Sequence, residues 1–117
     1  MAPTQEQDNR RIFELHASIC STLDHPKRLE ILNLLRLGEL SVGEIAERMG
    51  VSLANASQHL AVLRDQRVVV TRREGVSIYY QISNHKIVQA CDLMREVLFE
   101  QLARSGELAE RIQQEGE

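Results

Sequence analysis

Residues 39–69, ELSVGEIAERMGVSLANASQHLAVLRDQRVV, decide the fold. Ser41 followed three residues later by Glu44 is the pattern of a capping box, which predicts the start of a helix. Gly50 can adopt the left-handed conformation that ends this helix, and Ser52 can cap the next one. Apolar residues recur at helical spacing in both segments. Two helices joined by so short a turn predict a helix-turn-helix.

The second helix of this motif carries small and hydrogen-bonding residues near its N-terminus. Asn55, Ser57, Gln58 and His59 all fall in its first two turns. In a DNA-reading helix-turn-helix this part of the helix enters the major groove, where a glutamine side chain can bond adenine bidentately. The pattern therefore predicts a recognition helix whose base contacts come from these four residues.

The flanking segments extend the motif on both sides. Before it, helices are expected over about 9–23 and from the DHPKR segment to about residue 36, and LGEL (37–40) is expected to form a turn. After it, VVVTRREGVSIYYQIS (68–83) contains two β-rich runs around Glu74-Gly75, which indicates a hairpin. A long amphipathic helix follows. The order α-α-α-α-β-β-α predicts a mainly α fold with a β-hairpin wing, a winged helix-turn-helix.

This pattern assigns one domain and two tails. Residues 1–8 are polar and are expected to form a disordered N-terminal tail. Residues 9–106 are expected to form the winged helix-turn-helix domain for DNA binding and dimerisation. Residues 107–117 are expected to be an acidic C-terminal tail or the end of the last helix.

The formal net charge of -3 is unevenly distributed. Residues 52–80 hold four arginines against two acidic residues, whereas residues 92–117 hold seven acidic residues against three arginines. A basic middle and an acidic end are consistent with a phosphate-facing surface on the helix-turn-helix. The predicted DNA contacts, in the recognition helix, at the helix caps and in the wing, are Ser41, Ser52, Asn55, Ser57, Gln58, His59, Arg64, Arg72, Arg73 and Ser77.

Composition excludes several other classes of protein. The chain has no long apolar run and no apolar N-terminal stretch, so neither a membrane span nor a signal peptide is expected. Its two cysteines make no disulfide framework, which favours a reducing, cytoplasmic location. We find no glycine-rich phosphate loop, nucleophile–base pair or carboxylate cluster, so neither enzyme activity nor a cofactor is expected.

Three segments together resemble the ArsR/SmtB family of metal-responsive repressors. LDHPKRLEIL (23–32) is similar to the start of the family's second helix, residues 39–69 to its helix-turn-helix, and REGVSIYYQIS (73–83) to its wing. The similarity spans about residues 12–105. It implies a homodimer joined through the first and last helices, bound to double-stranded operator DNA that is released when an effector binds.

The family's metal sites do not carry over. Where one branch has cysteines in the third helix, this chain has Ser41. The zinc ligands of a second branch correspond to Asn84, Lys86, Val97 and Glu100, and three of these cannot hold zinc. The cysteine pair of a persulfide-sensing branch aligns near Asn33 and Phe99. No metal is therefore expected at the usual family sites.

Cys20 and Cys91 are the remaining candidates for an effector site. They fall on the first and last helices, so oxidation or a polysulfide bridge between them would alter the dimer and weaken DNA binding. Alternatively, His16, Cys20 and Cys91 would hold a soft metal or a metalloid. Packing as small apolar side chains is a third interpretation.

A function from another class is also compatible with the sequence. The winged helix would then be a protein-interaction module without an operator of its own. Salt dependence separates the two, because a dimer that contacts phosphates loses affinity steeply as salt rises.

Overall fold

The structure, a computed structural model, describes residues 2 and 4–106. Helix α1 spans Gln5–Leu23 and α2 spans Pro26–Leu34, followed by a 3-10 helix at Leu35–Leu37. Strand β1 (Leu40–Ser41), α3 (Val42–Met49) and α4 (Leu53–Asp65) come next. The hairpin strands are β2 (Val69–Glu74) and β3 (Ser77–Ile82), and the last helix is α5 (Lys86–Ser105). The expected winged helix-turn-helix is confirmed.

Two compact units divide between Asn84 and His85. The core of the first unit is aliphatic and comes from the helices and the sheet. Ile31, Leu35, Ile45, Leu60 and Leu63 are almost completely buried there. Burial of such side chains contributes about 1.5–3 kcal/mol each to folding, before entropic costs. The second unit is described through α5, in which Val88 is buried.

Local capping explains where the helices of the motif begin and end. The Ser41 hydroxyl accepts from the Glu44 backbone N–H, and the Ser41 backbone N–H donates to the Glu44 carboxylate, at 3.2 and 3.1 Å. Gly50 has a φ of 67°, and Ser52 Oγ accepts from the Asn55 backbone N–H at 3.0 Å. The predicted capping box, left-handed glycine and second cap are all confirmed.

The N-terminus departs from the expected tail. α1 begins at Gln5 rather than near residue 9, because Thr4 and Gln7 form a capping box that the sequence reading overlooked. The prediction of disorder over 1–8 is therefore wrong for residues 5–8. The predicted acidic tail, 107–117, lies outside the described residues.

The wing is part of a three-stranded antiparallel sheet in the order β1-β3-β2. Expecting only a turn at 37–40 was wrong, because Leu40 and Ser41 pair with Tyr80 and Tyr79 of β3. This two-residue strand leads directly into α3, so it joins the hairpin to the helix-turn-helix.

Within residues 2 and 4–106, no helix is long and apolar enough to cross a membrane.

Candidate nucleic-acid interface

Helix α4 has one buried and one exposed face. Ala56, Leu60 and Leu63 are completely buried at i, i+4 and i+7 spacing. Ser57 and Gln58 lie on the exposed side in the first two turns, and Arg64 is exposed near the C-terminal end. The helix is thus held by its apolar stripe while hydrogen-bonding groups face outward, as a groove-reading helix requires.

Asn55 is less exposed than Ser57 and Gln58. It is half-buried, and its Oδ1 atom is shielded from solvent without a hydrogen-bond partner among the described residues. An unsatisfied buried oxygen is costly, by about 1–3 kcal/mol. Rotation of the side chain toward a bound base would relieve that cost, so a DNA contact by Asn55 requires a change from the conformation seen.

His59 faces the start of α2. Its Nδ1 atom accepts from Arg28 Nε at 3.3 Å, and its ring centre lies 4.6 Å from that of His25. Arg28 also donates to the Thr22 carbonyl oxygen at 3.1 Å, and His25 Nδ1 caps α2 by accepting from the Lys27 backbone N–H at 3.2 Å. This cluster ties α4 to the junction of α1 and α2.

The surroundings of His59 lower its pKa below the usual value of about 6.5. Burial is the main cause, and the positive charges of His25, Arg28 and Lys27 add to it. As pH falls through 6.5, the unfolded chain takes up a proton at His59 while the folded chain does not. His59 therefore contributes stability above that pH, and the contribution is lost as pH falls toward the lower folded-state pKa.

We expect the melting temperature of the wild type to fall more between pH 7.5 and 5.5 than that of His59→Asn. Asparagine retains an acceptor for Arg28 but does not titrate. Calorimetry at several pH values measures the difference. His85→Asn, which removes the exposed histidine before α5, is the control for loss of an imidazole outside the cluster. Identical profiles for wild type and His59→Asn would contradict the prediction.

The wing presents two neighbouring arginines on opposite faces of the sheet. Residues alternate between faces, and Val69 and Ile82 on the Arg73 face are buried. The Arg73 side chain is exposed near the tip of the hairpin and has no ion-pair or hydrogen-bond partner in the described part of the chain. Arg72 leaves the outer face and pairs with Glu39 and Glu74 at 2.6 and 2.8 Å. The two arginines are therefore not equivalent.

The remaining predicted contacts lie at helix starts and in the hairpin turn. Ser41 is half-buried and Ser52 is exposed, and the hydroxyls of both cap helices. Ser77 is half-buried and forms the last pair of the hairpin with Glu74. Gly75 turns the chain with a φ of 62°.

Sequence reasoning missed the partners of two candidate contacts. Glu39 and Arg28 are separated by 33 and 31 residues from the side chains that they bind. Spacing rules describe neighbours within a helix or hairpin, so no sequence signal indicated these pairs.

The candidate effector residues lie on helices α1 and α5. His16 and Cys20 are exposed on α1, and Cys91 is half-buried on α5. Among the residues that the structure describes, no group of three or more histidine, cysteine or acidic side chains is placed to hold a metal ion.

Comparison with protein families matches the part of the chain that forms the candidate interface. Residues 25–71 match the family model described as "Bacterial regulatory protein, arsR family". The chain is similar to the nodulation protein NolR of Rhizobium meliloti, with 37% identity over 72% of this chain and 69% of the relative. It is also similar to the biofilm growth-associated repressor of Xylella fastidiosa, with 38% identity over 74% and 75% of the two chains.

A solved structure shows the same similarity in three dimensions. The solution structure of a homodimeric winged helix-turn-helix DNA-binding domain from Mycobacterium bovis, described as a possible ArsR-family transcriptional regulator, superposes with a TM-score of 0.76. The two sequences are 32% identical, and the match covers 87% of this chain and 94% of the other.

Proposed function

The chain belongs to the ArsR family of bacterial regulatory proteins, and on that premise we propose that it represses transcription as a homodimer bound to a palindromic operator. The observation that carries the proposal is the outward face of α4, where Ser57 and Gln58 are exposed above a fully buried apolar stripe. The relatives are transcriptional regulators and not enzymes. We propose a cytoplasmic location, because the proposed ligand is operator DNA.

The proposed contacts are of two kinds: contacts to the edges of DNA bases and contacts to the DNA backbone. Ser57 and Gln58 read base edges, with Asn55 and His59 beside them after rearrangement. Arg64 at the end of α4 and Arg73 in the wing meet phosphates, which position the protein without reading sequence. Hydroxyls at the helix caps and in the wing contribute further backbone contacts, through Ser41, Ser52 and Ser77.

Exposed apolar faces support the homodimer. On α1, Ile12, Phe13 and Leu15 are 61%, 69% and 49% exposed. On α5, Leu93 and Met94 are 63% and 70% exposed. Several large apolar side chains exposed on one helix mark that helix as a candidate interaction surface. Covering them with a second copy would join the protomers through the first and last helices. The Mycobacterium bovis relative is itself described as homodimeric.

A thiol-reactive signal is the effector that we propose. Cys20 and Cys91 lie on the two helices that carry the apolar faces, and Cys20 is exposed to oxidants. A peroxide or polysulfide would accept two electrons and two protons from the thiols as a disulfide forms. Binding of a soft metal or a metalloid by Cys20 and Cys91 with His16 is the alternative, and it would need ligands from both protomers, since no three such side chains in the described part of one chain are placed to hold a metal ion.

Measurements of operator binding test both the proposed repressor function and the proposed thiol signal. We expect the reduced protein to select a near-palindrome from random DNA, with half-sites about 34 Å apart, and to lose affinity steeply as salt rises. The reduced, oxidised, polysulfide-treated and metal-loaded proteins are then compared by fluorescence anisotropy. Cys20→Ser and Cys91→Ser should each bind as the reduced wild type does and resist oxidation.

Two outcomes would overturn these proposals separately. Absence of any salt-dependent DNA binding would leave a protein-interaction module and end the operator proposal. Unchanged operator binding after oxidation would end the proposal of a thiol signal.

A further inference from the structure

The Arg72 guanidinium lies in a network of four contacts. Its Nε and Nη2 atoms donate to the two carboxylate oxygens of Glu39 at 3.1 and 2.6 Å. Its Nη1 atom donates to Glu74 Oε2 at 2.8 Å. Its Cζ atom lies 4.8 Å from the centre of the Tyr79 ring. The bidentate geometry and the aromatic face fix the position of the guanidinium plane.

The network spans the sheet from one edge strand to the other. Glu39 immediately precedes β1, Arg72 belongs to β2, and Tyr79 belongs to β3, which lies between those strands. β1 pairs with β3 at only two positions, whereas β2 and β3 pair at six. The Glu39–Arg72 contact therefore reinforces the short pairing of β1 with β3, through which the hairpin contacts the segment that leads into α3.

Charge makes the same guanidinium a poor phosphate ligand. Two carboxylates already neutralise it, and a phosphate would have to approach both of them or displace one. The pairing also lowers the pKa of Glu39, mainly through its hydrogen bond to Arg72, so that carboxylate stays ionised. Arg73 projects from the opposite face without a carboxylate partner in the described part of the chain.

We propose that Arg72 and Glu39 form a brace that positions the wing, and that Arg73 is the wing cation that meets a DNA phosphate. The inference rests on the proposed operator binding and assigns distinct roles to two adjacent arginines. Exposed ion pairs usually contribute little to global stability. The brace therefore acts on the placement of the hairpin relative to α3 and α4 more than on folding.

The salt dependence of operator binding separates the two arginines. Each phosphate contact contributes about 0.9 to the slope of log affinity against log salt, so a dimer with two Arg73 side chains loses about 1.8 in Arg73→Met. Arg72→Met should keep the wild-type slope while binding about three- to tenfold more weakly at every salt concentration. A slope reduced in Arg72→Met as much as in Arg73→Met would overturn the proposal.

The direction in which Glu39→Gln changes operator affinity is an independent test. A brace predicts weaker operator binding, and the double variant with Arg72→Met should bind no more weakly than either single variant. If Glu39 instead competed with phosphate for Arg72, Glu39→Gln would bind more tightly. Tighter binding, or additive losses in the double variant, would rule out the brace.

A measurement without DNA tests the brace even if operator binding fails. Amide hydrogen exchange in β1 and β3 should accelerate in Glu39→Gln and Arg72→Met but not in Arg73→Met, with melting temperatures close to wild type in all three. Unchanged exchange in the first two variants would refute the brace. Faster exchange in a protein without salt-dependent DNA binding would retain the brace and reject the operator proposal.

Discussion

Replacing Ile12 with aspartate is expected to convert the protein to a monomer and to weaken operator binding about 100-fold or more. Ile12 lies on α1 beside Leu15 and Ile19, and all three are exposed in the single chain. In the proposed homodimer they are covered by the partner, where an unpaired carboxylate costs several kcal/mol. A cost of about 2.8 kcal/mol already weakens dimerisation 100-fold. A monomer also loses the gain from holding two half-sites at once.

Sedimentation across a range of protein concentrations measures the dimer, and anisotropy with the selected operator measures DNA affinity. Arg10→Glu is the control, since Arg10 is exposed on α1 about 200° around the helix from Ile12. It changes the charge by twice as much and should remain dimeric. A dimeric Ile12→Asp, or a monomeric Arg10→Glu, would show that this face of α1 is not the interface. Circular dichroism spectra of both variants serve to check that they are folded.

The parts of the fold that were predictable have causes within a few residues. The ends of α3 and α4 are set by residues at those ends, namely Ser41 with Glu44, Gly50 and Ser52. The residue types alone therefore predict where these helices begin and end. Strand β1 was missed because its pairing with Tyr79 and Tyr80 depends on a distant part of the chain. In addition, Gly38, two residues before the strand, is of a residue type typical of turns.

For the candidate interface, the sequence could predict which residues are exposed but not which side chains they contact. Ser57 and Gln58 lie on the outer face of α4, as helical periodicity indicates. His59 is turned toward His25, and the Oδ1 atom of Asn55 is buried, because tertiary contacts decide what half-exposed positions meet. Arg72 and Arg73 look equivalent in sequence, but the sheet sends them to opposite faces, and only Arg72 meets Glu39.

Gln58→Ala is expected to reduce discrimination between the operator and unrelated DNA by roughly 5- to 150-fold. Its exposed amide, one turn into α4, can donate to and accept from one adenine edge at once. A good bidentate pair of this kind contributes about 1–3 kcal/mol of discrimination. Phosphate contacts remain, so affinity for unrelated DNA should stay at the wild-type level.

Competition of operator and random-sequence duplexes at one salt concentration measures the ratio directly. Gln89→Ala, an exposed glutamine on α5, is the matched control and should leave the ratio unchanged. Operator variants carry the argument one step further. A true base contact predicts that Gln58→Ala becomes indifferent at one position in each half-site and keeps its preferences elsewhere. If affinity instead falls equally for operator and unrelated DNA, Gln58 contacts the backbone, and base reading must come from Ser57 and its neighbours.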